Sequence, residues 1–153
     1  MRILIMLPGE HRSSPPFDRA RYGRIVLEDE GRILLGPFPA LGKGGRSKGA
    51  RSGNWKLKGN DTPTGEYIGE IKRWHPAEVY GPNPVITLDP IAGNALKAKE
   101  LGRSGLAIHG GRAQDNLWST EGCVRVFDRH MAIIIAKLKQ LGITEINVTI
   151  GEF

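Results

Sequence analysis

The chain has 153 residues, 39% of them apolar and 25% charged, which suits one domain with a modest core and excludes a large multidomain machine. With 22 Lys and Arg against 16 Asp and Glu, the net charge of +6 favours anionic partners without by itself identifying nucleic acid. The single cysteine, Cys123, excludes an intramolecular disulfide and a four-cysteine metal knot.

Met1 to Leu7 is apolar but short and runs into Pro8-Gly9-Glu10, without the core or cleavage site of a signal peptide, so it reads as a first strand. The longest apolar run, Met131 to Ala136, falls well short of the roughly 18 residues that mark a membrane span. A soluble chain is expected, exported, if at all, by a route other than an obvious N-terminal signal or by a signal outside this sequence, as in a domain trimmed from a longer protein. Gly and Pro make up about a fifth of the residues, above the ordinary share of roughly 12%, which favours turns over long helices. Arg24-Ile25-Val26-Leu27 and Arg32-Ile33-Leu34-Leu35 flank the polar Glu28-Asp29-Glu30-Gly31, the pattern of a β-hairpin.

Residues 41–60 carry Lys43, Arg46, Lys48, Arg51, Lys56 and Lys58 with many glycines and no acidic residue. The rest of the chain is balanced, so the net charge resides in this segment. It offers little apolar area against an ordering cost of about 1–2 kcal/mol per residue, and a basic loop is expected there. Gly42-Lys43-Gly44-Gly45-Arg46-Ser47 lacks the Gly-Lys-Ser/Thr ending of a phosphate-binding loop.

Thr62-Pro63-Thr64-Gly65 forms a rigid turn before the alternating strand Glu66 to Ile71. Prolines 82, 84 and 90 bracket a short strand at Val85–Leu88, Asn94 to Leu101 fits two helical turns, and Leu106-Ala107-Ile108 is a strand that delivers His109 at its end. Met131, Ile134, Ile135 and Leu138 fall on one helical stripe, with Asp128 near its start, Lys137 and Lys139 near its end and Gly142 beyond. Ile146, Val148 and Ile150 alternate in a closing strand. The sum is a mainly β single domain over 1–153 with one substantial helix in its C-terminal half.

Cys123 follows Gly122 and precedes that helix. An unpaired cysteine is commonly a buried one. Here Gly122 permits a close backbone approach, and the helix N-terminus would favour a thiolate. His109-Gly110-Gly111 lies 14 residues upstream at a strand end, and a thiol and an imidazole at the ends of neighbouring elements are what a nucleophile and its general base require. His11, His75 and His130 are weaker candidates, in polar or Pro-containing segments or early in the helix. No His and Cys spacing matches a zinc site.

His109-Gly110, a variable loop, and Ser119-Thr120-Glu121-Gly122-Cys123-Val124-Arg125-Val126 together resemble the signature of the L,D-transpeptidase catalytic domain, also called YkuD. Asp61-Thr62-Pro63-Thr64-Gly65-Glu66-Tyr67 resembles that family's Thr-Pro-Thr-Gly turn and aromatic strand, and the likeness runs from about residue 22 to the C-terminus. It implies a β-sandwich-like domain that attacks the carbonyl between meso-diaminopimelate and the terminal D-amino acid of a peptidoglycan tetrapeptide stem, then passes the acyl group to an amine or to water. Cys123 then matches the nucleophile and His109 the base, which either extracts the thiol proton or holds an ion pair. Backbone N–H groups of Gly122 and Cys123 would stabilise the oxyanion. Arg125, Thr120 and Gly110 would shape the site or contact substrate, Arg125 being also compatible with a purely structural ion pair. No cofactor or metal is required. Glu121 stands where the family usually has His, and its charge opposes ionisation of the thiol.

Activity on stem peptides places the protein in the periplasm or cell wall. Without a visible signal, a specialised secretion system is one route, and the protein would then be an antibacterial effector with an immunity protein as partner. Two other readings compete. One is a non-catalytic peptidoglycan-binding module, motivated by Glu121 and the basic loop. The other is a nucleic-acid-binding domain, which ranks last because the aromatic residues are not interleaved with the basic charge as a stacking surface needs.

Overall fold

Alternation of apolar side chains sets the strands of this protein. In β1 (Arg2–Leu7), Ile3, Ile5 and Leu7 turn inward, and in β8 (Glu145–Glu152), Ile146, Val148 and Ile150 do the same. The computed structural model describes residues 1–8, 22–42, 54–56, 59, 61–112, 116–118 and 120–153. Most of the basic loop expected at 41–60 lies outside the described residues, as do His11 and Ser119.

β2 (Gly23–Asp29) and β3 (Arg32–Leu41) form the antiparallel hairpin, turned at Glu30 and Gly31, which have φ of 50° and 77°. β4 (Gly65–Lys72) and β5 (Val85–Ala92) pair antiparallel, with α1 (Ala77–Tyr80) between them in sequence. α2 (Asn94–Glu100), β6 (Ala107–His109), β7 (Val124–Val126) and α3 (Asp128–Gln140) follow.

The strands close in the order β1-β2-β3-β7-β6-β5-β4-β8. This corrects the sandwich expectation: the mainly β content holds, but the sheet is one closed eight-stranded barrel, and α1 and α2 accompany α3. The cause is β8. It pairs parallel with β1, Ile3 opposite Val148, and antiparallel with β4, Tyr67 opposite the same Val148. Closure leaves no unpaired edge along the ring, so two facing sheets are not needed.

In the main core the stripe Met131, Ile134, Ile135 and Leu138 of α3 packs into the same cluster as the inward residues of the strands, and Leu41, Leu117 and Phe127 form a second, smaller cluster. Tyr67 is fully buried within it, and its hydroxyl donates to the Pro63 carbonyl at 2.5 Å, satisfying the polar tip.

Candidate active site

Two short parallel strands bring the sequence motifs together. β6 pairs with β7 so that Ile108 lies opposite Val124 and His109 opposite Arg125. Ile108, Val124 and Val126 point into the core, and period-two alternation therefore turns His109, Cys123 and Arg125 to the other face. All three line one cavity of about 630 Å³, on the outer side of the barrel wall.

His109 is 2% exposed, and Tyr80 packs edge-on against its ring at 5.1 Å, backed in turn by Trp74. Its Nδ1 lies 2.6 Å from the Gly110 carbonyl oxygen. A carbonyl only accepts, so Nδ1 carries the proton and Nε2 keeps its lone pair. Burial holds the imidazole pKa down to about 4, with Arg125 adding to the decrease and the Gly110 hydrogen bond opposing it. At neutral pH the ring is an uncharged base.

The Cys123 thiol is half-buried, its Sγ 3.7 Å from the Gly105 carbonyl. Burial pushes its pKa up, and Glu121 adds to the rise; a hydrogen bond from the Ala107 backbone and the charges of Arg125 and Arg103 oppose it. The expected help from a helix N-terminus is not realised, because β7 separates Cys123 from α3. Both shifts favour the uncharged forms, a neutral thiol and a neutral imidazole.

Arg125 is 5% exposed and donates through Nη1 to the Trp118 carbonyl at 3.0 Å, while Nη2 reaches Val79 O at 3.5 Å. It ties the loop before Cys123 to α1 and keeps a positive charge at the cavity wall. Arg103, 4% exposed, donates to the carbonyls of Trp55 and Asp61 at 2.5 and 2.7 Å. With Arg112 at the rim, three guanidinium groups and the Glu121 carboxylate line the cavity, an environment suited to an anionic substrate.

The backbone around the thiol is held by side chains. Thr120 Oγ1 donates to Cys123 O at 2.7 Å and accepts from Gly122 N–H at 3.1 Å. Thr62 Oγ1 donates to Gly122 O at 2.5 Å. Gly122 has φ of 114°, a conformation that residues with a side chain rarely adopt. Gly110 is equally constrained: a Cβ there would lie 2.1 Å from Asp128 Oδ1, the atom that accepts the Gly111 N–H at 2.7 Å.

The structure thus brings together Cys123, His109, Arg125, Thr120, Gly110 and Gly122. His75 does not line the cavity, and His130 stacks on Phe38 at 4.4 Å away from it. Sequence reasoning missed Arg103, Thr62, Tyr80 and Asp128 as parts of this environment. Only Thr62 carried a signal, the turn motif; the others reach the site through contacts 14 or more positions away in the chain.

The YkuD family model, the L,D-transpeptidase catalytic domain, matches residues 18–148. Among solved structures, that of Bd1075 from Bdellovibrio bacteriovorus is similar, with a TM-score of 0.53 and 17% identity. The alignment covers 97% of this chain and 47% of that one, so this chain spans less than half that protein's length, and the likeness is one of fold. No curated protein matches this chain.

Proposed function

The chain belongs to the L,D-transpeptidase catalytic domain family, a family that acts on cell-wall peptidoglycan, and from that premise we propose that it is a cysteine-dependent acyl transferase or hydrolase of tetrapeptide stems. Cys123 is the nucleophile and His109 the general base. Nε2 takes the thiol proton as Sγ bonds to the carbonyl carbon between diaminopimelate and the terminal D-amino acid. The oxyanion is held by Cys123 N–H, the Gly122 N–H being engaged by Thr120. When the tetrahedral intermediate collapses, the C–N bond breaks and His109 returns the proton to the leaving amine. An incoming amine or water then attacks the thioester, losing a proton to His109 and releasing the Cys123 thiol.

The observation that carries this reading is the shared cavity, which is lined both by a buried neutral imidazole with a committed Nδ1 and by the protein's sole thiol. General-base activation needs that protonation state and no preformed thiolate. Arg125 and Arg112 offer charge for the carboxylates of the stem. Incubation with diaminopimelate-containing tetrapeptide stems tests the proposal: the wild type releases the terminal D-amino acid and Cys123→Ala does not. Binding of stems without product from either protein favours a non-catalytic module on the same scaffold.

A further inference from the structure

We propose that Thr62 is a positioning residue that aims the Cys123 N–H at the developing oxyanion, an inference that rests on the acyl-transfer reading above. Thr62 is 4% exposed and does not line the cavity. Its hydroxyl has one proton and two carbonyls in reach, Gly122 O at 2.5 Å and Gly42 O at 3.2 Å. Gly42 O already receives the Thr62 N–H at 2.9 Å, so the hydroxyl proton goes to Gly122 O.

That bond fixes more than a carbonyl. Across a trans peptide the C=O and the following N–H point to opposite sides. Gly122 C=O is drawn toward Thr62, so the Cys123 N–H is turned away from Thr62, and the residues on either side of this peptide, Thr120, Glu121 and Cys123, line the cavity. Thr120 holds the groups that flank this peptide, Gly122 N–H and Cys123 O. The peptide between them adjoins a glycine, the residue with the widest torsional freedom. Thr62 supplies the restraint.

The restraint is itself rigid. The carbonyl before Thr62, Asp61 O, accepts Arg103 Nη1 at 2.7 Å, and the carbonyl after it, Pro63 O, accepts the buried Tyr67 hydroxyl at 2.5 Å. The Thr-Pro-Thr-Gly turn therefore clamps the nucleophile's backbone from outside the cavity.

The test compares Thr62→Val, nearly isosteric without the hydroxyl, with Thr62→Ser, which keeps it. Removing an oxyanion donor outright lowers kcat by about 10²–10³, so its misalignment in the Val variant should lower kcat about 10- to 100-fold with little change in KM, and Ser should restore it. Alkylation of Cys123 by iodoacetamide, a displacement without an oxyanion, should proceed at the same rate in all three proteins. A Val variant with wild-type kcat, or one whose alkylation falls in step with its turnover, overturns the proposal. A wild type that forms no acyl adduct with the stems overturns the functional reading, and this inference with it.

Should the Val variant not fold, the wild type bound to a peptide aldehyde decides. In its crystal structure the hemithioacetal oxygen on Cys123 should lie within hydrogen-bond distance of Cys123 N, with Gly122 O still on Thr62. An adduct oxygen directed elsewhere contradicts the proposal.

Discussion

Cys123 sits between opposing influences: burial and Glu121 hold its proton on, while the Ala107 backbone and two arginines favour its loss. Glu121 occupies the position just before the Gly-Cys pair, so its replacement isolates one contribution. Glu121→Gln should shift the pH profile of iodoacetamide alkylation to lower pH than in the wild type, since a repelling charge is removed; an unchanged or higher profile contradicts this account of the thiol. His109 makes a second prediction. Its folded pKa of about 4 lies below the ordinary 6.5, so between those values the unfolded chain holds a proton that the native one does not. Stability should therefore fall as pH drops through that window, by up to about 3 kcal/mol from this residue. Denaturant unfolding at successive pH values should show a weaker acid dependence in His109→Gln, and equal slopes would place the imidazole in solvent. Both residues were legible in the sequence as a motif pair, but their protonation states were not, because burial and the Gly110 carbonyl are products of folding.

The corner after β6 is the element on which the base depends. Gly110 O orients His109, and the space a Cβ would need is filled by Asp128 Oδ1, which is bonded to Gly111 N–H. Gly110→Ala must displace Asp128 and break that bond, costing about 1–3 kcal/mol of stability. Turnover should fall further than stability does, because the imidazole loses its alignment; urea unfolding and kcat measured on one preparation check both. Wild-type kcat in a destabilised variant would separate the corner from the chemistry. Elements with local signals were readable, namely the β2–β3 hairpin, the stripe of α3 and the alternation of β8. β7 was not, since three residues give no period and its pairing with β6 and β3 comes from distant parts of the chain. Missing that strand is what placed Cys123 beside the helix in the sequence reading.

At the scale of the molecule, the barrel explains why the site lies where it does. Ile108 and Val124 anchor the β6–β7 pair in the core, and the same alternation presents His109, Cys123 and Arg125 outward. Closure through β1 and β8 joins the two ends of the sequence, a pairing across most of the chain that no local pattern records, and hence the sandwich expected from the sequence gave way to a closed wall. The clamp of Thr62 on Gly122 likewise spans 60 positions. Such a wall makes the site a fixed surface, with its polar groups prearranged before substrate arrives. The central claim, a thiol made reactive by a neutral base at this surface, is tested most directly by intact-mass spectrometry of wild type and Cys123→Ala mixed with tetrapeptide stems. The account predicts a transient adduct on the wild type equal to the stem less its terminal D-amino acid, mapped to Cys123 and absent from the variant. Stem turnover undiminished in Cys123→Ala, or an adduct mapped to another residue, would contradict it.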